Sequence, residues 1–361
     1  MEAKEQENSS LRTNNSRNVS EIITRAYVFA PVSNNVKLVI STAMLLFGVY
    51  GLIANSLILY FKHKQHRRRR HLRQKPCSRS LTEYFINSLA LSDLLSSLIS
   101  LPLFTAEMFI DFVHNDWICK VNRFLNIIFP VITILNLLVI GVERYFASFH
   151  PFIKPSRRKA KKIVVGAWFL GALITLVPIP TYKLIHYDIG ENSFTLMCKY
   201  DNSLALYQGL FLGFVVVIYF VPSSILIFVN LRILNLIRRH RNIGNRYHFG
   251  RLKATRMFVF LIFAFIIPYS LFSVYGGLVV ILKIRVPLTA DYLTRHMSVL
   301  LTFANGAISA SILFHNERYL RKMLVDMLND TFPHIQIQVT NKRENKIHPM
   351  VTREIRRVQQ L

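Results

Sequence analysis

Seven long apolar stretches, at about 36–61, 82–109, 118–147, 161–182, 204–236, 253–282 and 291–314, decide what this 361-residue chain can become. Each is long enough to cross the roughly 30 Å hydrocarbon core of a bilayer as a helix rising about 1.5 Å per residue. A large soluble helical protein is the competing reading, but its helices are usually shorter and keep a polar face. Here no charged residue occurs from Leu204 to Phe228. The third stretch has marked ends: 25 residues separate Cys119 from Arg144, and as helix that is about 37 Å. A cysteine therefore stands at one membrane face and Glu143-Arg144-Tyr145 at the other. The expected fold is an all-α membrane protein, a seven-transmembrane helix bundle.

Charge orients that bundle. Nine bases and no acid lie between the first two stretches: Lys62, Lys64, Arg67, Arg68, Arg69, Arg70, Arg73, Lys75 and Arg79. By the positive-inside bias this loop is cytoplasmic. The segment between stretches four and five sets only Lys183 and Lys199 against Asp188, Glu191 and Asp201, and falls outside. The net charge of +26 is then explained by anionic lipid headgroups; a nucleic-acid partner for the Arg67–Arg70 run is the weaker reading. Asn-x-Ser sequons begin at Asn8, Asn14 and Asn18 and belong outside if the basic loop is inside. The first residues lack the apolar core of a signal peptide, so the first stretch is expected to direct insertion.

Of three cysteines, Cys119 and Cys198 fall on the oxidising side, while Cys77 lies in the basic inner loop. A bridge between the first two would pin the outer loop over the bundle; two free thiols are the alternative. Cys77 is expected free or lipidated.

These residues together resemble the rhodopsin-like (class A) G-protein-coupled receptors, over about residues 36 to 328. The family's markers stand as Gly51-Leu-Ile-Ala-Asn55, Leu89-Ala-Leu-Ser-Asp93, Cys119, Glu143-Arg144-Tyr145 and Pro151, then Trp168, Pro178, Cys198, Pro222 and Pro268-Tyr269. The resemblance implies that Glu143, Arg144 and Tyr145 serve coupling to a heterotrimeric G protein, with Arg144, which cannot deprotonate, held by Glu143 and released when the bundle opens. An interfacial snorkelling arginine is the plainer reading. It also implies that Asp93, costly at mid-span, faces the interior in a sodium pocket, with Asn55 and Asn305 as partners; a merely hydrogen-bonded aspartate is the alternative. Pro222 and Pro268 each remove a helix hydrogen bond and allow a kink.

Two of the family's switches are missing. Ile266 stands where the tryptophan two places before Pro268 is usual, and Asn305-Gly-Ala-Ile-Ser309 replaces Asn-Pro-x-x-Tyr. No acid stands at the inner end of stretch six, where His248, Arg251 and Lys253 occur.

Residues 1–35 are read as an extracellular glycosylated N-terminus, 36–314 as the bundle, 315–328 as an amphipathic eighth helix on the inner leaflet, and 329–361 as a cytoplasmic tail. The tail offers only Thr331, Thr340 and Thr352 as hydroxyls, which does not suggest strong phosphorylation-driven arrestin binding.

Ligand class is narrowed by elimination. Asp291 to Phe314 contains no lysine for a retinal Schiff base, and the position eighteen residues before Arg144, where amine receptors carry an aspartate, is Asn126. Stretch five offers Tyr207, Phe211, Phe214, Val215 and Ile218 and no serine pair. Helical spacing sets Asn126, Phe129, Phe211, Phe214, Tyr269, Ser273, His296 and Phe303 toward a cavity. Acids at its rim, Asp116, Asp188, Glu191 and Asp201, would receive basic side chains, so an extracellular peptide is the first expectation and a neutral lipid-like molecule the second. A multi-pass transporter or channel is the alternative class, but intramembrane charge reads as nearly confined to Asp93 and no repeat is visible. An intramembrane enzyme would need a nucleophile-base pair or metal ligands at depth, which the stretches lack.

Overall fold

A computed structural model describes residues 26–71, 81–150, 156–189, 192–241, 249–284 and 286–331. The sequons at Asn8, Asn14 and Asn18, and also Cys77, Pro151, Glu191, His248, Thr340 and Thr352, lie outside the described residues, as do the side chains of Arg251 and Lys253. Seven helices are long and apolar enough to cross a membrane: Asn34–Arg68, Glu83–Phe109, Asp116–Phe149, Arg158–Thr181, Ala205–Leu236, Met257–Leu282 and Leu288–Asn316. They are called spans one to seven below. The expected stretches match them closely, the polar ends extending beyond the apolar cores because helix hydrogen bonding continues past the bilayer boundary. Asn115 caps span three by accepting from the Ile118 amide at 2.9 Å, satisfying one of the orphan N–H groups of a helix start.

Span three is the centre, touching spans two, four, five and six, while span seven packs on spans one, two and six. The core between them is aliphatic and aromatic, with Ile58, Phe61, Phe85, Leu89, Phe211, Phe258 and Phe265 nearly solvent-free. The opposite faces carry exposed Leu46, Val165, Phe169 and Ile267, as expected of side chains turned to lipid, where burial against protein gains nothing over lipid contact. Spans three and four approach closely at Gly171, where an added Cβ would come 2.8 Å from Ile132 Cγ1.

Two spans contain π-helical turns, Ser96–Ser100 and Val216–Phe220. Each ends just before a proline, Pro102 or Pro222. Proline has no N–H and its ring crowds the carbonyl four residues back, and in both places the local pairing widens to five residues, Leu101 N to Ser96 O and Val221 N to Val216 O. The kink expected at Pro222 is thus built as a π turn, and that turn carries Tyr219, whose hydroxyl donates to the Ile266 carbonyl of span six at 3.2 Å.

One end of the bundle is covered by a three-stranded sheet of order β1-β3-β2, with β1 Ala26–Tyr27, β2 Tyr182–Asp188 and β3 Ser193–Tyr200. β2 and β3 form an antiparallel hairpin with Leu184 opposite Cys198, and β1 runs parallel to β3. Cys198 is bonded to Cys119 at the start of span three, Cα to Cα 5.5 Å. At the other end, Arg318–Thr331 forms a helix whose Leu320 and Met323 are buried in the main core, with Leu324 and Met327 packed beside them. Its apolar face is turned onto the bundle as well as along it. Lys62 of span one pairs with Glu317 at 2.5 Å, at the joint between span seven and this helix.

Candidate functional site

Beneath the hairpin lies a cavity of about 200 Å³, walled by spans two, three, five, six and seven and roofed by β3 and by Phe29 and Ala30. Its floor and one wall are aromatic. Tyr200 stacks on Phe211 with centroids 4.4 Å apart and planes at 16°, Phe265 backs Tyr269 at 5.1 Å, and Tyr292 stacks on His296 at 3.8 Å. Such rings give large apolar area at defined geometry.

Three carboxylates border the cavity, and each is engaged. Glu107 of span two pairs with Arg123 of span three and accepts from Asn122 at 2.8 Å. Asp111 accepts from the Tyr27 hydroxyl at 2.7 Å; burial, and then that carboxylate, push the Tyr27 phenol up to about 12. Asp291 of span seven accepts from Lys199 at 2.9 Å and from the Tyr275 hydroxyl at 2.8 Å, and is ion-paired with Arg295 at 3.2 Å. Arg123 also donates to the Cys198 carbonyl at 3.0 Å, tying the hairpin to span three beside the disulfide.

Deeper in the bundle, the Asp93 carboxylate accepts from Thr133 at 2.8 Å and from Ser309 at 2.9 Å, and Ser92 meets Thr133 at 2.8 Å. Gly306 lies against it, where an added Cβ would touch the Asp93 side chain at 3.5 Å. Asn55 donates instead to the Gly51 carbonyl at 2.9 Å, so the expected partners Asn55 and Asn305 are replaced by two hydroxyls. A second polar chain ties spans two, three and four, from Trp168 Nε1 to Ser88 and from Ser88 to Asn136, each 2.8 Å. At the far end of span three, Arg144 Nε lies 3.1 Å from Glu143 Oε2, and Tyr145 packs on Phe149 at 4.7 Å.

The sequence pattern described as 7 transmembrane receptor (rhodopsin family) matches residues 70–308. The chain belongs to that family. Among individual proteins it is similar to Probable G-protein coupled receptor 19 of Mus musculus, 27% identical over 254 residues, covering 65% of this chain and 55% of that protein. It is also similar to the Tyramine receptor tyra-2 of Caenorhabditis elegans, 25% identical over 230 residues, 60% and 46%. A third relative, the Tachykinin-like peptides receptor 86C of Drosophila melanogaster, is 27% identical over 221 residues, 55% and 43%. The chain spans about half the length of the curated relatives it matches.

The receptor's cavity gathers six of the eight side chains set there by helical spacing: Asn126, Phe211, Phe214, Tyr269, His296 and Phe303. Phe129 and Ser273 are buried but do not line it. Of span five, Phe211, Phe214 and Ile218 line the space while Tyr207 and Val215 do not. The rim acids are elsewhere: Asp116 accepts from the Leu184 amide at 2.9 Å, and Asp201 pairs with Lys183 at 2.5 Å. Burial works to raise the Asp201 carboxyl, but Lys183 and Ser203 outweigh it and hold the acid below its ordinary value.

Sequence reasoning missed the charged members of the cavity: Glu107, Arg123, Asp291 and Arg295 on the span helices, and Asp111 and Lys199 outside them. Charge on the span helices is therefore not confined to Asp93. The signal was present in the i, i+4 spacing of Asp291 and Arg295, since ionisable residues inside spans face protein rather than lipid.

Proposed function

We propose that the chain is a plasma-membrane receptor whose hairpin end faces outside, that it binds an extracellular peptide in the cavity beneath the hairpin, and that it activates a heterotrimeric G protein through Glu143, Arg144 and Tyr145. The observation that carries this reading is the aromatic cavity under a disulfide-tethered roof. An amine ligand, which the tyramine receptor's name would suggest, finds neutral Asn126 on span three and three carboxylates already engaged. Orientation rests on the bases at the opposite end of span one, Lys62, Lys64, Arg67 and Arg68, which favour the cytosolic side. The N-terminal segment before span one is then extracellular, and the helix Arg318–Thr331 and the segment after it are cytoplasmic. The carboxylate and hydroxyl oxygens of Asp93, Thr133, Ser309 and Ser92 form an all-oxygen set suited to a sodium ion, since hydroxyls can turn their lone pairs toward a hard cation.

Orientation predicts glycan on Asn8, Asn14 or Asn18 in a eukaryotic host. Glycosidase treatment should increase gel mobility of the surface-expressed receptor, and unchanged mobility would count against the orientation.

Pocket use predicts a ranking. Burying one aromatic side chain of a ligand is worth roughly 1.5–3 kcal/mol, so Tyr269→Ala and Phe211→Ala should each weaken peptide agonist potency about tenfold or more, beyond any effect of Asn126→Asp. A peptide and amine library read by calcium or second-messenger response in transfected cells tests this. A monoamine as best agonist, or Asn126→Asp as the most damaging change, would show the cavity misread.

A further inference from the structure

The donors and acceptors around Asp291 do not balance. One carboxylate is shared by two cations, Lys199 of β3 and Arg295 of span seven, and its second oxygen is already taken by the Tyr275 hydroxyl. At Asp291 itself two positive charges therefore meet one negative, while of the cavity's other acids Glu107 pairs with Arg123 and Asp111 is held by the Tyr27 phenol. Three hydrogen-bonding atoms beside Asp291, all on residues lining the cavity, have no partner: Arg295 Nε and the hydroxyls of Tyr200 and Tyr292. Tyr200 and Tyr292 are 7% and 4% exposed, so their partners are whatever fills the cavity. Burial first, and then the Asp291 charge, push the Tyr200 phenol well up, so its hydroxyl stays protonated and able to donate. A buried donor without an acceptor is costly, and several facing one space mark what the space takes.

We propose that the cavity receives an anionic group of its ligand, a carboxylate on an apolar body, between Lys199 and Arg295, with the Tyr200 and Tyr292 hydroxyls as further donors. The apolar body lies on Phe211, Phe214 and Tyr269. Two sources present this chemistry, the C-terminal carboxylate of an apolar peptide and the head of a fatty acid. A ligand ammonium is disfavoured, because it would have to displace Lys199 or Arg295 from Asp291. The proposal rests on the cavity being the binding site, as argued above.

Full-length receptor in lipid nanodiscs is titrated with two probe sets. One is an N-acetylated Phe-Leu tetrapeptide with its C-terminus free or amidated; the other is dodecanoic acid, dodecanamide and dodecylamine. The free carboxylate should bind best in at least one set, and which set responds identifies the source. Lys199→Gln and Arg295→Gln should each weaken that probe about tenfold or more, the scale of one charge-assisted bond, while Lys199→Arg keeps the charge and should stay within about threefold. Surface level and thermal melting of each variant show that it folds, and the comparison of free carboxylate with amide on the unaltered receptor carries the test if a glutamine variant does not. Equal binding of the amide, preference for the amine, or carboxylate binding indifferent to both glutamine variants overturns the anion assignment. If Phe211→Ala still weakens binding in those cases, the cavity itself stands. Indifference to Phe211→Ala as well removes both readings, and failure of every probe to bind overturns the proposal.

Discussion

Replacing Cys119 or Cys198 with alanine should lower specific ligand binding per cell about tenfold or more, and the double variant should be no worse than either single. Loss of a native disulfide commonly costs roughly 2–5 kcal/mol in small domains, although a bilayer already restrains this chain and reduces the share that comes from the unfolded state. The larger effect here is local. The bridge fixes β3 to the start of span three, and β3 supplies Leu196, Met197, Lys199 and Tyr200 to the cavity roof. With the bridge gone, the hairpin is held to the bundle by the Arg123 bond to the Cys198 carbonyl, by the Lys199 pair with Asp291 and by the Asp116 bond to the Leu184 amide. Surface immunostaining alongside saturation binding measures both consequences. Residues that act as one unit are non-additive, so additive losses in the double variant would show that the two cysteines act separately.

Arg144→Ala should cut agonist-driven nucleotide exchange on the G protein about tenfold or more while leaving surface level unchanged and ligand affinity within about threefold. Neighbouring helix positions do not face each other, yet the Arg144 and Glu143 side chains bend together to 3.1 Å. That pair sits at the end of span three opposite the cavity, so its removal should spare the ligand. Reconstituted receptor with purified G protein gives the readout. Full exchange by a well-expressed Arg144→Ala would place the contact on another residue.

Much of the architecture was legible because the bilayer imposes it. A chain that must satisfy every backbone group internally while crossing hydrocarbon has few options, and the apolar run from Leu204 to Phe228 admits only a helix. The disulfide was legible for a related reason, since the charge pattern sets just two of the three cysteines on one side. The π turns before Pro102 and Pro222 were not, because proline announces a disturbed hydrogen bond without stating how the helix repairs it. Nor was the sheet: β1 is two residues long, too short for any alternation, and its pairing with β3 is a backbone matter that side chains barely encode. Helical spacing set Phe211, Phe214, Tyr269 and Phe303 toward the cavity but also Phe129, which does not line it, and passed over Phe104, Phe272, Tyr275 and Tyr292. The ion pairs did not follow from it, because Glu107 and Arg123 are distant in sequence and meet only through the packing of spans two and three.

The two-residue strand β1 has a kinetic meaning. It is held by the Ala26 and Val28 amides bonding to Asn192 and Phe194 carbonyls at 2.8 and 2.9 Å, and by Tyr27 on Asp111, and it leads directly into Phe29 and Ala30 above the cavity. Two backbone bonds and one phenol, with Tyr27 against the Phe194 ring, are the contacts that hold this segment over the cavity. For a ligand leaving past Phe29 and Ala30, breaking these bonds would add a step to dissociation that equilibrium affinity does not reveal. Residence time of such a ligand is then governed partly by these contacts and occupancy by the walls, and the two can be varied independently of each other.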